Sequence, residues 1–189
     1  MAPTRTFIAF SPSETIKKEI VLVQKKFCES KADVYWEPGD KLHATLRFIG
    51  AVESDTLPEI INIVRGVIEY YPPFTITFES VGAFPNIRKP KVIWIGCIME
   101  SSVLLRLKCE IDSALHRLGF PVEERAYAPH VTIGRVRSER GLKYLLSMLE
   151  TSTFEPRTES IGSIFVLRSE LTSLGSEYSV LETIHLHSS

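Results

Sequence analysis

The chain has 189 residues, 44 % of them hydrophobic, and a formal net charge of −1. That suits one globular unit of closely associated lobes and argues against a broad nucleic-acid-coating surface. Three widely spaced cysteines without a Cys-x-x-Cys pair argue against a disulfide framework or a zinc knuckle, and no stretch approaches the ~20 apolar residues of a membrane span. The apolar run at Met1 to Phe10 is too short for a signal peptide, so a soluble cytoplasmic protein is expected.

In chain order, Thr6 to Phe10 reads as a strand. Ser13 caps a helix to about Ser30, with Ile16, Ile20, Val23 and Phe27 at core spacing. Val34 to Trp36 is a short extended piece ended by the turn Pro38-Gly39-Asp40. His43 to Ile49 is a strand with His43, Thr45 and Arg47 on one face and Ala44, Leu46 and Phe48 on the other. Ser54 or Asp55 caps a second helix to about Tyr70, stopped by Pro72-Pro73. Phe74 to Val81 and Val92 to Ile98 are strands joined by a proline-containing loop. Ser101 or Ser102 caps a third helix, closed by Gly119. His130 to Val136 is a strand, Ser138 caps a fourth helix to about Glu150, and Ser160 to Leu167 and Tyr178 to Leu186 close the chain. Cys97 and Cys109 fall in apolar segments and are expected in the core, as is Trp94.

The order strand, helix, strand, helix occurs twice, and each third element carries the same four-residue pattern: His43-Ala44-Thr45-Leu46 and His130-Val131-Thr132-Ile133. No Pro/Gly/Ser-rich linker separates the halves. The expectation is therefore a single α+β domain over residues 1–189, a duplicated bilobal unit with pseudo-twofold symmetry. The motif strands lie near 43–49 and 130–136 and meet at a central cleft.

Two chance matches to His-x-Thr-aliphatic among five histidines have a likelihood on the order of a few in a thousand. On a strand, i and i+2 share a face, so each motif sets an imidazole beside a hydroxyl. Two imidazoles near neutral pKa can serve as base and acid, and two threonines can donate to the non-bridging oxygens of a phosphate. The residues alone leave the acid and base roles interchangeable. A metal site would want further ligands at fixed spacing, and neither motif supplies one. The rest of the motif inventory lacks a nucleophile elbow, a P-loop and a Gly-x-Gly-x-x-Gly run. Two basic stretches, Pro85 to Ile95 and Gly134 to Lys143, carry +3 each and leave −7 elsewhere, which suits recognition of a few phosphates.

Leu42 to Gly50 and Pro129 to Arg135 resemble the paired signatures of the 2H phosphoesterases, and within them the RNA 2′,3′-cyclic phosphodiesterases, also called 2′-5′ RNA ligases. The likeness extends to Arg5 to Phe10, Gly82 to Pro85 and Val92 to Trp94. It implies a bilobal α+β fold with two antiparallel sheets, flanked by helices, around a central groove, with no cofactor and no required metal. It further implies hydrolysis of an RNA terminal 2′,3′-cyclic phosphate to a 2′-phosphate. On this sequence it makes His43 and His130 the catalytic pair, with His43 as acid and His130 as base. Thr45 and Thr132 become the phosphate donors, and Arg135 a further phosphate contact. Strict alternation from His130 aims Arg135 away from the cleft, unless Gly134 permits a bulge.

For the nucleotide, Tyr127 beside the second motif is the preferred stacking residue. Phe48 is a second candidate, although sharing a face with Leu46 favours core packing, and Arg88 and Lys89 are candidates for the RNA backbone. The expected partners are RNA ends or nucleoside 2′,3′-cyclic phosphates, met by a monomer. Two competing readings stay open: reversible 2′-5′ ligation or 2′-5′ phosphodiester cleavage, and a non-catalytic module that binds RNA ends. His185 and His187 lack threonine partners and read as edge residues, and His116 as a surface histidine.

Overall fold

A computed structural model describes residues 3–123, 126–173 and 175–187. Strand β1 (Thr4–Phe10) leads into helix α1 (Glu14–Cys28), whose start is set by the Ser13 hydroxyl accepting the Ile16 amide. Ile16, Ile20 and Phe27 are buried as the spacing requires, but Gln24 joins them where Val23 was expected. Its amide donates to the carbonyls of Glu37 and Ile133 at 2.7 and 2.8 Å, so a buried polar group ties the helix to the strands below it.

There follow β2 (Val34–Trp36), β3 (Ala44–Val52), α2 (Leu57–Ile68), β4 (Phe74–Phe84), β5 (Val92–Met99) and α3 (Val103–Arg117). The chain ends with β6 (His130–Val136), α4 (Leu142–Thr151), β7 (Arg157–Ile161), β8 (Ser163–Thr172) and β9 (Gly175–His185). Gly119, at φ +87°, closes α3 in the left-handed region that favours glycine. Helix α4 starts three residues later than Ser138 suggests. That hydroxyl bonds the Asp33 carboxylate at 2.7 Å and caps no helix. The stretch from Ser160 to Leu167 is not one strand. It breaks at Gly162 into β7 and β8, which go to opposite ends of the sheet.

All strand pairs are antiparallel, in the order β7-β4-β5-β6-β3-β1-β8-β9, with β2 on β6. The order is symmetric about the β6/β3 seam: each motif strand is central, flanked by the first strand of its own half. The halves also exchange strands. β4, from the first half of the chain, lies beside β5, and β8, from the second, lies beside β1. The two sheets join at the seam through one ladder pair, Ala44 with Val131, and so form a single continuous curled sheet.

Apolar residues from all four helices and the inner strand face make one core cluster, which includes Ile8, Phe10, Leu46, Ile93, Val131 and Ile133. Phe7 and Ala9 belong to a smaller cluster with Leu167 on the other face of the sheet. Cys97 is buried as expected. Cys109 is exposed, because α3 turns Leu107, Lys108 and Ile111 inward instead. No helix among the described residues is long and apolar enough to cross a membrane.

Candidate active site

The cleft is made by a matched irregularity in the two motif strands. In β3, Ala9 pairs with Thr45 and Ile8 with Arg47, so Leu46 is an extra, bulged residue. In β6, Trp94 pairs with Thr132 and Ile93 with Gly134, so Ile133 is extra in the same way. A bulge breaks strict alternation. Past each threonine two consecutive residues turn into the core, and the third returns to the cleft. This overturns the expected sidedness of β3. Arg47 faces away from His43 and is 3 % exposed, whereas Phe48 stands 60 % exposed on the cleft wall. The same bulge delivers Arg135 to the cleft. Gly134 is needed there for close approach, since a Cβ would lie 2.8 Å from the Trp36 ring.

The resulting cleft, about 620 Å³, is lined by His43, Thr45, His130, Thr132 and Arg135 together. Ala44 pairs with Val131 across the seam, so the histidine and threonine of each motif flank the one paired residue of its strand. Each imidazole is held by the same device. Nδ1 of His43 donates to the Lys41 carbonyl at 2.7 Å, and Nδ1 of His130 to the Ala128 carbonyl at 2.8 Å, both two residues upstream. A carbonyl only accepts, so Nδ1 keeps its proton and Nε2 is the nitrogen left for exchange. The rings pack edge-on against aromatics, His43 on Tyr178 at 5.1 Å and His130 on Phe84 at 4.9 Å. Burial in these surroundings holds both imidazoles below the ordinary histidine value, and the Arg135 charge adds to the effect.

Sequence reasoning missed several cleft residues, among them Glu37, Tyr178 and Arg5. Glu37, nearly buried, pairs with Arg135 Nε at 2.9 Å and fixes the guanidinium over the cleft. No local pattern marks it, since its partner Arg135 lies 98 residues away in sequence. Tyr178 backs His43, and Arg5 lines the far end of the cleft along β1.

Other expectations move. Tyr127 does not line the cleft: its hydroxyl donates to the Thr45 carbonyl at 3.3 Å, and Lys108 sits 5.4 Å from its ring. Burial raises the Tyr127 phenol far above its usual value, and the residue supports the motif strand from behind. Arg88 lies on a neighbouring shelf with Gly82, Ile87 and Trp94, and Lys89 is in the exposed turn beside it. Neither lines the cleft, because β4 runs on to Phe84 and carries the loop past it. Trp94 is half-buried under Phe84 and His130 on the cleft face, outside the core. Among the described residues no group of three or more His, Cys, Asp or Glu is placed to hold a metal ion.

Comparison with known proteins finds relatives of one kind. The family model described as LigT like Phosphoesterase matches residues 10–94. The RNA 2′,3′-cyclic phosphodiesterase of Methanothermobacter thermautotrophicus is 31 % identical over 183 residues, covering 96 % of this chain and 98 % of that protein. The one from Aquifex aeolicus is 30 % identical, covering 98 % and 99 %. In fold, the chain matches a Thermus thermophilus protein, TT0787, at a TM-score of 0.81 and 23 % identity, covering 96 % of this chain and 97 % of that one. It also matches E. coli LigT complexed with 3′-AMP at 0.79 and 23 %, covering 98 % and 99 %. With a doubled His-x-Thr cleft and full-length relatives of this kind, the chain belongs to the LigT-like phosphoesterases, in the family of RNA 2′,3′-cyclic phosphodiesterases.

Proposed function

We propose that this protein hydrolyses RNA terminal 2′,3′-cyclic phosphates to 2′-phosphomonoesters by acid–base catalysis between His43 and His130. The observation that carries the reading is the pair of imidazoles in one cleft, each with Nδ1 committed to a backbone carbonyl and each beside a threonine hydroxyl. His130 Nε2 takes a proton from water as the water oxygen bonds to phosphorus. The P–O3′ bond breaks on the opposite side, and His43 Nε2 gives O3′ its proton. Thr45 and Thr132 donate to the non-bridging oxygens, where charge builds, and Arg135 adds a cation held in place by Glu37. The assignment of His43 as acid and His130 as base follows the family resemblance. No metal or other cofactor takes part in this scheme.

Phe48 offers its exposed ring for stacking of the terminal base. We further propose that the protein acts as one domain and one chain: the two motif strands pair directly within it, Ala44 with Val131. Three free cysteines fit a reducing compartment such as the cytoplasm. The test is incubation with a nucleoside 2′,3′-cyclic monophosphate in EDTA, with phosphorus NMR of the product. A 2′-monophosphate is expected. A 3′-monophosphate would refute the polarity, and dependence on added metal would refute the two-histidine scheme. Joining of RNA ends with 2′-5′ linkages, without hydrolysis, would favour the ligase reading.

A further inference from the structure

Among the described residues, three cations line the cleft: Arg5, Lys41 and Arg135. Lys41 is paired with Glu177 at 2.7 Å, and Arg135 with Glu37 at 2.9 Å. Arg5 has neither an acidic nor a hydrogen-bonding partner for its guanidinium among the described residues, and it is exposed. An arginine left unpaired beside two described cations that are paired is a ready anion contact.

Its place in the sheet says which anion. Ala9 pairs with Thr45, Phe7 with Phe48, Thr6 with Gly50, and Arg5 with Ala51 and Ser169. The groove therefore runs from the reaction centre past the exposed ring of Phe48 to Arg5. From Ala9 to Arg5 is four residues, about 13 Å of strand at ~3.3 Å per residue. The ribose separates a 2′,3′-phosphate from the 5′-phosphate of the same nucleotide, and the long arginine stem covers the remaining reach. Gly50, on this path, carries no side chain to block it. Ser169, across the ladder from Arg5, adds a hydroxyl at the same end.

We infer that Arg5, with Ser169, forms a subsite for the phosphate on the 5′ side of the terminal nucleotide. The RNA strand then leaves the cleft along β1, away from the basic loop at Arg88 and Lys89. The inference rests on the hydrolase reading above. It makes the enzyme favour oligonucleotide ends over nucleosides through a charge contact.

The test compares three substrates: a nucleoside 2′,3′-cyclic phosphate, the same compound bearing a 5′-phosphate, and a dinucleotide ending in the cyclic phosphate. In the wild type the 5′-phosphate raises kcat/KM roughly tenfold, and the dinucleotide does at least as well. The log–log salt dependence of kcat/KM steepens by about 0.7 relative to the nucleoside substrate, as one released counterion requires. Arg5→Ala collapses both differences, and Arg5→Lys keeps part of them. Equal kcat/KM for the three substrates in the wild type overturns the subsite. So does an Arg5→Ala enzyme that keeps the preference, or an Arg88→Ala enzyme that loses it. A dinucleotide advantage without a 5′-phosphate advantage assigns the gain to base stacking and also overturns it. Failure of the wild type on all three substrates instead refutes the hydrolase reading itself.

Discussion

Phe48 and Arg135 occupy equivalent places in the two halves of the protein. Each lies three residues past its motif threonine, and each is returned to the cleft by a bulge at the residue after that threonine. One duplicated backbone irregularity thus presents a flat apolar ring on one wall and a cation on the other. A nucleotide has a base and a phosphate to match. Phe48→Ala is expected to raise KM roughly tenfold or more, on the scale of one lost base stack of about 1–3 kcal/mol. Phe48→Trp should restore most of it. Steady-state kinetics on a cyclic mononucleotide check this, and an unchanged KM in Phe48→Ala removes Phe48 from the binding site.

His43→Ala and His130→Ala should each lower kcat by about 10²–10⁴-fold while the thermal transition stays near that of the wild type. Thr45→Val and Thr132→Val should each cost about 10²-fold, the scale of one lost donor to a developing oxyanion. If either histidine variant turned over at the wild-type rate, the acid–base pair would be misassigned.

The pH dependence follows from the direction of the shifts. Productive free enzyme has one imidazole neutral and one protonated, so kcat/KM is a bell bounded by the two values. Both lie below the ordinary 6.5, chiefly through burial and further through Arg135. The bell in kcat/KM should therefore centre on the acid side of 6.5. A bound phosphate anion raises both imidazoles, so the bell in kcat should lie at higher pH. Arg135→Ala removes a cation near both rings and should move the kcat/KM bell upward. A centre above 6.5 in the wild type would contradict this environment.

Arg47 should act on stability rather than on substrate. It ion-pairs with Asp112 at 3.1 Å and Glu123 at 3.4 Å, and donates to the Pro121 carbonyl, beneath the sheet. Lys108 completes the cluster on the same two carboxylates. Removing one member of a buried ion cluster costs about 3–5 kcal/mol. Arg47→Ala should thus lower the denaturant midpoint strongly and leave KM for a cyclic mononucleotide within about twofold. A rise in KM without a loss of stability would place Arg47 at the substrate instead.

Gly134→Ala should destabilise by about 1–3 kcal/mol, because the new methyl meets the Trp36 ring and Val34. Calorimetry reads this as a fall in Tm. An unchanged Tm would mean that β2 yields freely.

The sequence made the site legible because its signal is local. His43 and Thr45, and His130 and Thr132, share a face whenever their segments are strands, and their repetition announces a common cleft. Helix starts with a real side-chain cap, as at Ser13, were legible for the same reason. What escaped depends on distant partners. The bulges at Leu46 and Ile133 are set by the registers of β1 and β5, so simple alternation placed Arg47 and Phe48 on the wrong faces. Tyr127 looked like a stacking residue by proximity in sequence, but its hydroxyl reaches back to the Thr45 carbonyl. The break at Gly162 is invisible within an otherwise continuous strand pattern, because only the pairing with β4 on one side and β1 on the other reveals it.

The exchange of β4 and β8 across the Ala44–Val131 seam makes each half an incomplete object by itself. Cutting the chain between the repeats would strip a strand from both products, so neither fragment could bury its own helices. Mixed together, the two pieces would have to reassemble to recover either a stable fold or paired imidazoles. A half-length chain of this design would close only as two copies trading their last strand, with the reaction centre at their shared axis.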